Sequence, residues 1–207
     1  MTEFDLIRTL SSRFPATDGI VGIGDDCAVI PGDEEDLLVT TDLLAEGVHF
    51  LFDRISPYDL GWKSAAVNIS DIAAMGGLPK YAFLSIALPK DVISTEAQRS
   101  GEISSWLDSF SDGFAAACKR YGVTLLGGDT SASKGGIFIN VTLLGSCPRG
   151  TAILRSGARP GDLICVTGTL GDSAAGLRLI QEMADQVGHD GGRVAMTEAS
   201  ILKETPP

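Results

Sequence analysis

Residues 56–77, "SPYDLGWKSAAVNISDIAAMGG", carry their own start and stop signals. Ser56 is a good helix N-cap, and Pro57 suits the first helical position, where its missing N–H would have no partner anyway. Gly76-Gly77 offers the stop, so the spacing predicts one long helix in between. Inside that helix Asp71 stands among apolar neighbours, too far from the N-terminus to gain from the helix dipole. Asn68 precedes it by three residues and shares its helical face, which we read as turned to a polar cleft.

On both sides of this helix lie β-type runs: 27–30 and 36–41 before it, then 81–88, 123–127, 137–145 and 162–168 after it. A second helix is expected from near Thr95, where Thr95 and Gln98 form a capping-box pattern, to Tyr121 before Gly122. Its Ile103, Trp106, Phe110, Phe114 and Ala117 recur every three or four residues and read as a core-facing stripe. "FDLIRTL" (4–10) reads as a short amphipathic helix. The order predicts an α+β domain, with helices packed on one side of a mostly antiparallel or mixed sheet. It fits a Rossmann arrangement less well. The loop over 146–162, with two prolines and three glycines, marks a domain boundary. We therefore expect an N-terminal domain over 1–148 and the start of an incomplete α/β C-terminal domain over 149–207. The second part offers a strand, a helix over 171–183 and a polar Gly-rich tail, too little to close a core of its own, as in a fragment or truncated product.

Composition narrows the function. The net charge of −11, from 27 acidic against 16 basic residues, excludes a broad electropositive nucleic-acid surface. No apolar run has the length of a membrane span, and "MTEFDLIRTL" lacks the order of a signal peptide, so the expected location is cytoplasmic. Four cysteines without a CxxC pair argue against both zinc and a disulfide framework. With only two histidines, a metal site would be built from oxygen donors, which suits magnesium, manganese or calcium.

Acids stand where such donors would be useful. Asp25 and Asp26 lie side by side in "GIGDDCA" (22–28), Asp42 closes "LLVTTD", and Asp129 closes "LLGGDT". A sheet would project Asp26, Asp42 and Asp129 from neighbouring strand ends toward one cleft, joined by Asp71. Convergent carboxylates repel one another unless cations lie between them. Singly, Asp25, Asp42 and Asp129 serve equally well as turn formers or helix caps. Glycines around them permit close backbone approach to phosphate, although neither a GxxxxGK[ST] loop nor a kinase-type Gly-rich loop occurs. "TGTLGDSAAGL" (167–177) reads as a strand-turn-helix anion site or as a plain glycine turn capped by Asp172 or Ser173. His49 and Arg155 have ordinary structural readings as single residues.

Together, "GIGDDCAVI", "TTDLLAEGVHF", "KSAAVNISDIAAMGG", "LLGGDT" and "LRSGARPGDLICVTGTLGDSAAGL" resemble the thiamine-monophosphate kinase family, in order and over most of the chain. Single elements recur in relatives that share its PurM-like fold: aminoimidazole ribonucleotide synthetase, selenophosphate synthetase and a hydrogenase-maturation protein. The resemblance implies Mg2+-dependent, ATP-driven phosphorylation of thiamine monophosphate to thiamine diphosphate by a homodimer paired through its sheets. It implies magnesium ligation by Asp26, Thr40, Thr41, Asp42, Asp71 and Asp129. ATP contacts fall to Gly128, Asp129 and Arg155, and His49 would meet the thiamine phosphate. No side chain is expected to act as a general base, because a phosphate acceptor is already ionised and positioning with electrostatics suffices. The family continues for roughly another hundred residues with a D-x-SDG segment. Against this reading stand another ATP-using enzyme of the same fold and a non-catalytic dimerisation or nucleotide-binding module.

Overall fold

The computed structural model describes residues 7, 12, 18–89, 97–166 and 168–180, with backbone alone over 97–104. The chain divides into two compact units, 1–159 and 160–207. Five strands build the first: β1 (Ala28–Ile30), β2 (Glu35–Ala45), β3 (Leu78–Pro89), β4 (Thr124–Ser133) and β5 (Phe138–Pro148). Two long helices, α1 (Pro57–Ala74) and α2 (Ala97–Tyr121), complete it. The sheet order is β1-β2-β5-β3-β4. β3 and β4 run parallel, as a strand-helix-strand crossover through α2 requires, and the other pairings are antiparallel. This is the mixed sheet with helices on one side that the sequence predicted, in a PurM-like arrangement.

α1 starts and stops where its signals lie. The Asp59 N–H donates to Ser56 Oγ at 3.0 Å, the Ser56 hydroxyl donates to Asp59 Oδ2 at 2.6 Å, and Pro57 opens the first turn. At the other end Gly76 takes a φ of 72°, which a side chain would resist. The buried stripe Leu60, Ser64, Ala65, Asn68, Ile69 and Ile72 faces the sheet.

Period-2 alternation assigns the sheet faces. On β2 Asp36, Leu38, Thr40 and Leu44 are buried under the helices, whereas Leu37, Thr41 and Leu43 are exposed on the far face. One core layer joins Leu38, Val141 and Leu143 to Ile69, Ile72, Met75 and Phe114. A second, around Leu44, Phe50, Leu60, Phe110 and Ile139, reaches out to Trp106. Trp106, Phe110 and Phe114 stack in series, with ring centroids 5.4 and 6.4 Å apart, so the α2 stripe is core as expected. Burying a side chain such as Phe110 is worth roughly 1.5–3 kcal/mol.

Two expectations change. "DLICVTG" forms no strand: residues 162–166 have no ladder, and Leu163 and Ile164 are exposed. An apolar run becomes a strand only when another edge pairs with it. The second unit does form its helix, over 172–180. β4 runs on past the expected end at Gly127 to Ser133, because the ladder with β3 holds "GGDTSAS" extended. The helix expected over 4–10, apart from Ile7, and the Thr95 cap lie outside the described residues. No helix among the described residues is long and apolar enough to cross a membrane.

Candidate functional site

α1 sits across the helix-facing side of β2 and brings Asp71 to Thr40, whose hydroxyl donates to Asp71 Oδ2 at 2.6 Å. Asp42 lies two residues further along β2 on the same face. The structure therefore places Asp42 inside the strand rather than at its end. Asp26 immediately precedes the residues leading into β1, which is paired with β2.

Arg155 reaches this corner along a fixed path. Gly150 N–H donates to the buried Asp36 carboxylate at 2.7 Å, and Ile153 N–H donates to the Met75 carbonyl at 3.0 Å, past the end of α1. The Arg155 N–H then meets both Asp25 carboxylate oxygens at 3.3 Å, and its guanidinium forms an ion pair with Asp26. That guanidinium is largely exposed, so the pair contributes little to stability and is readily exchanged for another anion.

The electrostatics agree with a shared corner. Burial pushes the Asp71 carboxyl above its ordinary range and the charges of Asp42 and Asp26 push it further, against the Thr40 hydrogen bond and Arg155. The Cys27 thiol is pushed up to about 12, by burial first and then by Asp71, Asp26 and Asp25. A thiol held this firmly in its protonated form is no nucleophile.

Asp129 corrects the expected arrangement. β4 is separated from β2 by β5 and β3, so Asp26, Asp42 and Asp129 do not come from neighbouring strand ends. Register places Asp129 level with Ser85, Asn140 and Leu43, on the far face of the sheet. Thr41 shares that face, with its hydroxyl 3.1 Å from that of Thr142. Gly128 pairs with Leu84 in the row of Asp42, on the helix-facing side. His49 follows β2 in an exposed turn, where Ala45 N–H donates to its Nδ1 at 3.0 Å and the Lys63 ammonium donates to its carbonyl at 2.6 Å. An Nδ1 that accepts leaves Nε2 to carry the proton of the neutral ring. Sequence reasoning missed Lys63 and the Asp25 contact, because the partners lie 14 and 130 residues apart along the chain.

The donor chemistry fits a hard divalent cation. Asp26, Asp42 and Asp71 offer oxygen alone, their charges oppose one another, and buried Asn68 keeps a carboxamide oxygen without a partner. Among the described residues no three His, Cys, Asp or Glu side chains are grouped so that they could hold a metal ion by themselves. Magnesium needs no such group, since it binds through one or two carboxylates together with water and phosphate oxygens.

Comparison with known proteins agrees with this geometry. The family model for AIR synthase related protein, N-terminal domain, matches residues 24–147. The thiamine-monophosphate kinase of Buchnera aphidicola is 45% identical over 184 residues, which cover 87% of this chain and 53% of that protein. The solved thiamine monophosphate kinase of Aquifex aeolicus is 38% identical with a TM-score of 0.72, over 88% of this chain and 54% of that one. A structure of AaThiL complexed with AMPPCP and TMP is 40% identical with a TM-score of 0.75, over 87% and 53%. The chain thus spans about half the length of the relatives it matches. With the family model covering strands, helices and acidic corner alike, the chain belongs to the AIR synthase-related family through its N-terminal domain.

Proposed function

We propose that this chain supplies the magnesium and nucleotide corner of a cytoplasmic thiamine-monophosphate kinase, which transfers the γ-phosphoryl group of ATP to thiamine monophosphate. The observation that carries the reading is the cluster of Asp26, Asp42 and Asp71 with Arg155, in a chain 40% identical to a protein solved with AMPPCP, an ATP analogue, and TMP. Asp26, Asp42 and Asp71 would hold magnesium, and Thr40, assigned to magnesium with them by resemblance, also orients Asp71 through its hydroxyl. Thr41 and Asp129 are assigned to magnesium by resemblance, as Gly128 and Asp129 are to ATP. His49 presents its ring N–H to the phosphate of thiamine monophosphate. Magnesium, when bound, offsets the charge of the two phosphates that must meet. Arg155, paired with Asp26 here, would exchange it for an ATP phosphate and so leave that carboxylate available as a metal ligand.

The assay is mass spectrometry of the full-length gene product with thiamine monophosphate, ATP and magnesium. Thiamine diphosphate is the expected product, and its absence would reject the reading. In the same protein Arg155→Met is expected to weaken ATP binding by roughly 10-fold or more, the worth of a charge-assisted hydrogen bond. It is expected to leave Mn2+ binding in the absence of nucleotide equal or tighter; a parallel loss of both would contradict the exchange.

We also propose a homodimer formed through the far face of the sheet. That face exposes Leu37, Leu43, Tyr81, Phe83 and Phe138, each at least 38% exposed, with Thr41, Asn140 and Thr142 among them. Large apolar side chains exposed in such number on one sheet face support an interface. Phe83→Asp is expected to turn a dimer into a monomer by light scattering, and a wild-type monomer would refute the pairing.

A further inference from the structure

Asn68 lies on the sheet-facing stripe of α1, fully buried, and its Oδ1 has no hydrogen-bond partner. No other buried side-chain nitrogen or oxygen among the described residues is left in that state. Its orientation is determined. Nδ2 donates to the Ser64 carbonyl at 3.3 Å, and a turned amide would set two oxygens against each other. The neighbouring hydroxyls are committed elsewhere: Ser64 Oγ donates to the Leu60 carbonyl at 2.7 Å and Thr40 Oγ1 donates to Asp71.

The helix runs opposite to β2, and this fixes what Asn68 sits beside. The backbone at Gly77 lies against Leu38, Asp71 meets Thr40, and Leu60 packs in the layer of Leu44. Three residues back from Asp71 along the helix is about 4.5 Å, and two residues on from Thr40 along the strand is about 6.6 Å. Asn68 is therefore level with the stretch between Thr40 and Asp42. The ionisable side chains that this register sets level with Asn68, Asp71 on the helix and Asp42 on the strand, are carboxylates that only accept hydrogen bonds. A leucine has the same branched skeleton of four heavy atoms, is somewhat larger, and leaves no polar atom unpaired. Keeping asparagine there lowers the stability of the unliganded fold, and a group that does so at a site is accounted for by what it binds.

We propose that Asn68 is a positioning residue of the cation site, whose Oδ1 accepts a hydrogen bond from the hydration shell of a divalent ion held by Asp42 and Asp71. The inference rests on the magnesium reading above and adds a residue to it. Such outer partners set metal affinity by 10- to 100-fold as a rule.

The test compares the wild-type 207-residue chain with Asn68→Leu and Asn68→Asp, by melting temperature in chelator and by titration with Mn2+ alone. Asn68→Leu is expected to melt a few degrees higher in chelator and to bind Mn2+ roughly 10-fold or more weakly. Asn68→Asp keeps an oxygen at the position. It is expected to melt lower in chelator while holding Mn2+ within about 3-fold of wild type. A purely structural asparagine would change the melting temperatures without separating them from Mn2+ affinity. Wild-type Mn2+ affinity in Asn68→Leu overturns the proposal and leaves the magnesium reading intact. A wild-type chain that binds no Mn2+ overturns both. If Asn68→Leu does not fold, a 10-fold loss of Mn2+ affinity in Asn68→Asp overturns the proposal.

Discussion

Gly113→Ala is expected to lower the melting temperature by about 3–10 °C, from a packing loss on the order of 1–3 kcal/mol. The two helices touch through a reciprocal pair of glycines. A Cβ on Gly113 would stand 1.8 Å from the Tyr58 carbonyl oxygen, and one on Gly61 would stand 2.0 Å from the Phe110 carbonyl oxygen. Both obstacles are backbone, so no rotamer change relieves them and the helices must separate. Intrinsic propensity works the other way, favouring alanine in a helix by up to about 1 kcal/mol, so a net loss isolates the packing. Gly61→Ala is expected to behave similarly. The double variant should lose less than the sum, because helices already parted by one methyl group have room for the second. A Gly113→Ala chain that melts within a degree of wild type would mean that the helix contact is not this close. The consequence extends past stability, since α1 carries Asn68 and Asp71 to the sheet and moves if α2 is forced away.

α1 was legible because every signal in it is local. Ser56, Pro57 and Gly76 act within one turn, and the apolar spacing between them needs no distant partner. α2 was legible for the same reason through Phe110, Phe114 and Ala117. β4 was read short, since Gly127, Gly128 and Ser131 have poor strand propensity and are extended only by pairing with Phe83, Leu84 and Ala87. Residues 162–166 show the converse case, with good propensity and no ladder. The acids Asp26, Asp42 and Asp71 could be picked out because each interrupts an apolar pattern. Their grouping needed the strand order, which is set by pairings between distant segments such as Asp42 with Val141. Without that order Asp129 was given the wrong neighbours. Arg155 lies 129 residues from Asp26, and the loop bonds that bring them together leave no periodic trace.

Asp71→Asn should separate folding from function more sharply than any other single change at the site. Asp71 is half-buried, and its folded-state affinity for a proton is raised by burial and by Asp42 and Asp26. A carboxyl raised in this way contributes stability that is fully present below the ordinary aspartate value of about 3.9 and is lost as pH rises through the higher folded value. The asparagine variant does not titrate there, so the wild-type chain should lose stability relative to it from about pH 4 upward and level off above the raised value. The Thr40 hydroxyl keeps an acceptor in the carboxamide oxygen, which preserves the contact between α1 and β2. Phosphoryl transfer should respond in the opposite sense. With Asp71 in the proposed magnesium role, removing its charge is expected to reduce kcat by roughly 10²–10³ in the full-length enzyme, the scale of losing one well-placed electrostatic group. Melting curves between pH 3.5 and 8 and thiamine diphosphate formation at saturating magnesium read the two effects separately. Parallel pH–stability curves would place Asp71 in solvent without its carboxylate neighbours, and activity within about 3-fold of wild type would remove it from the magnesium site. A variant that is more stable at neutral pH yet inactive is the result expected of a carboxylate kept at a cost to the fold because a cation answers its charge.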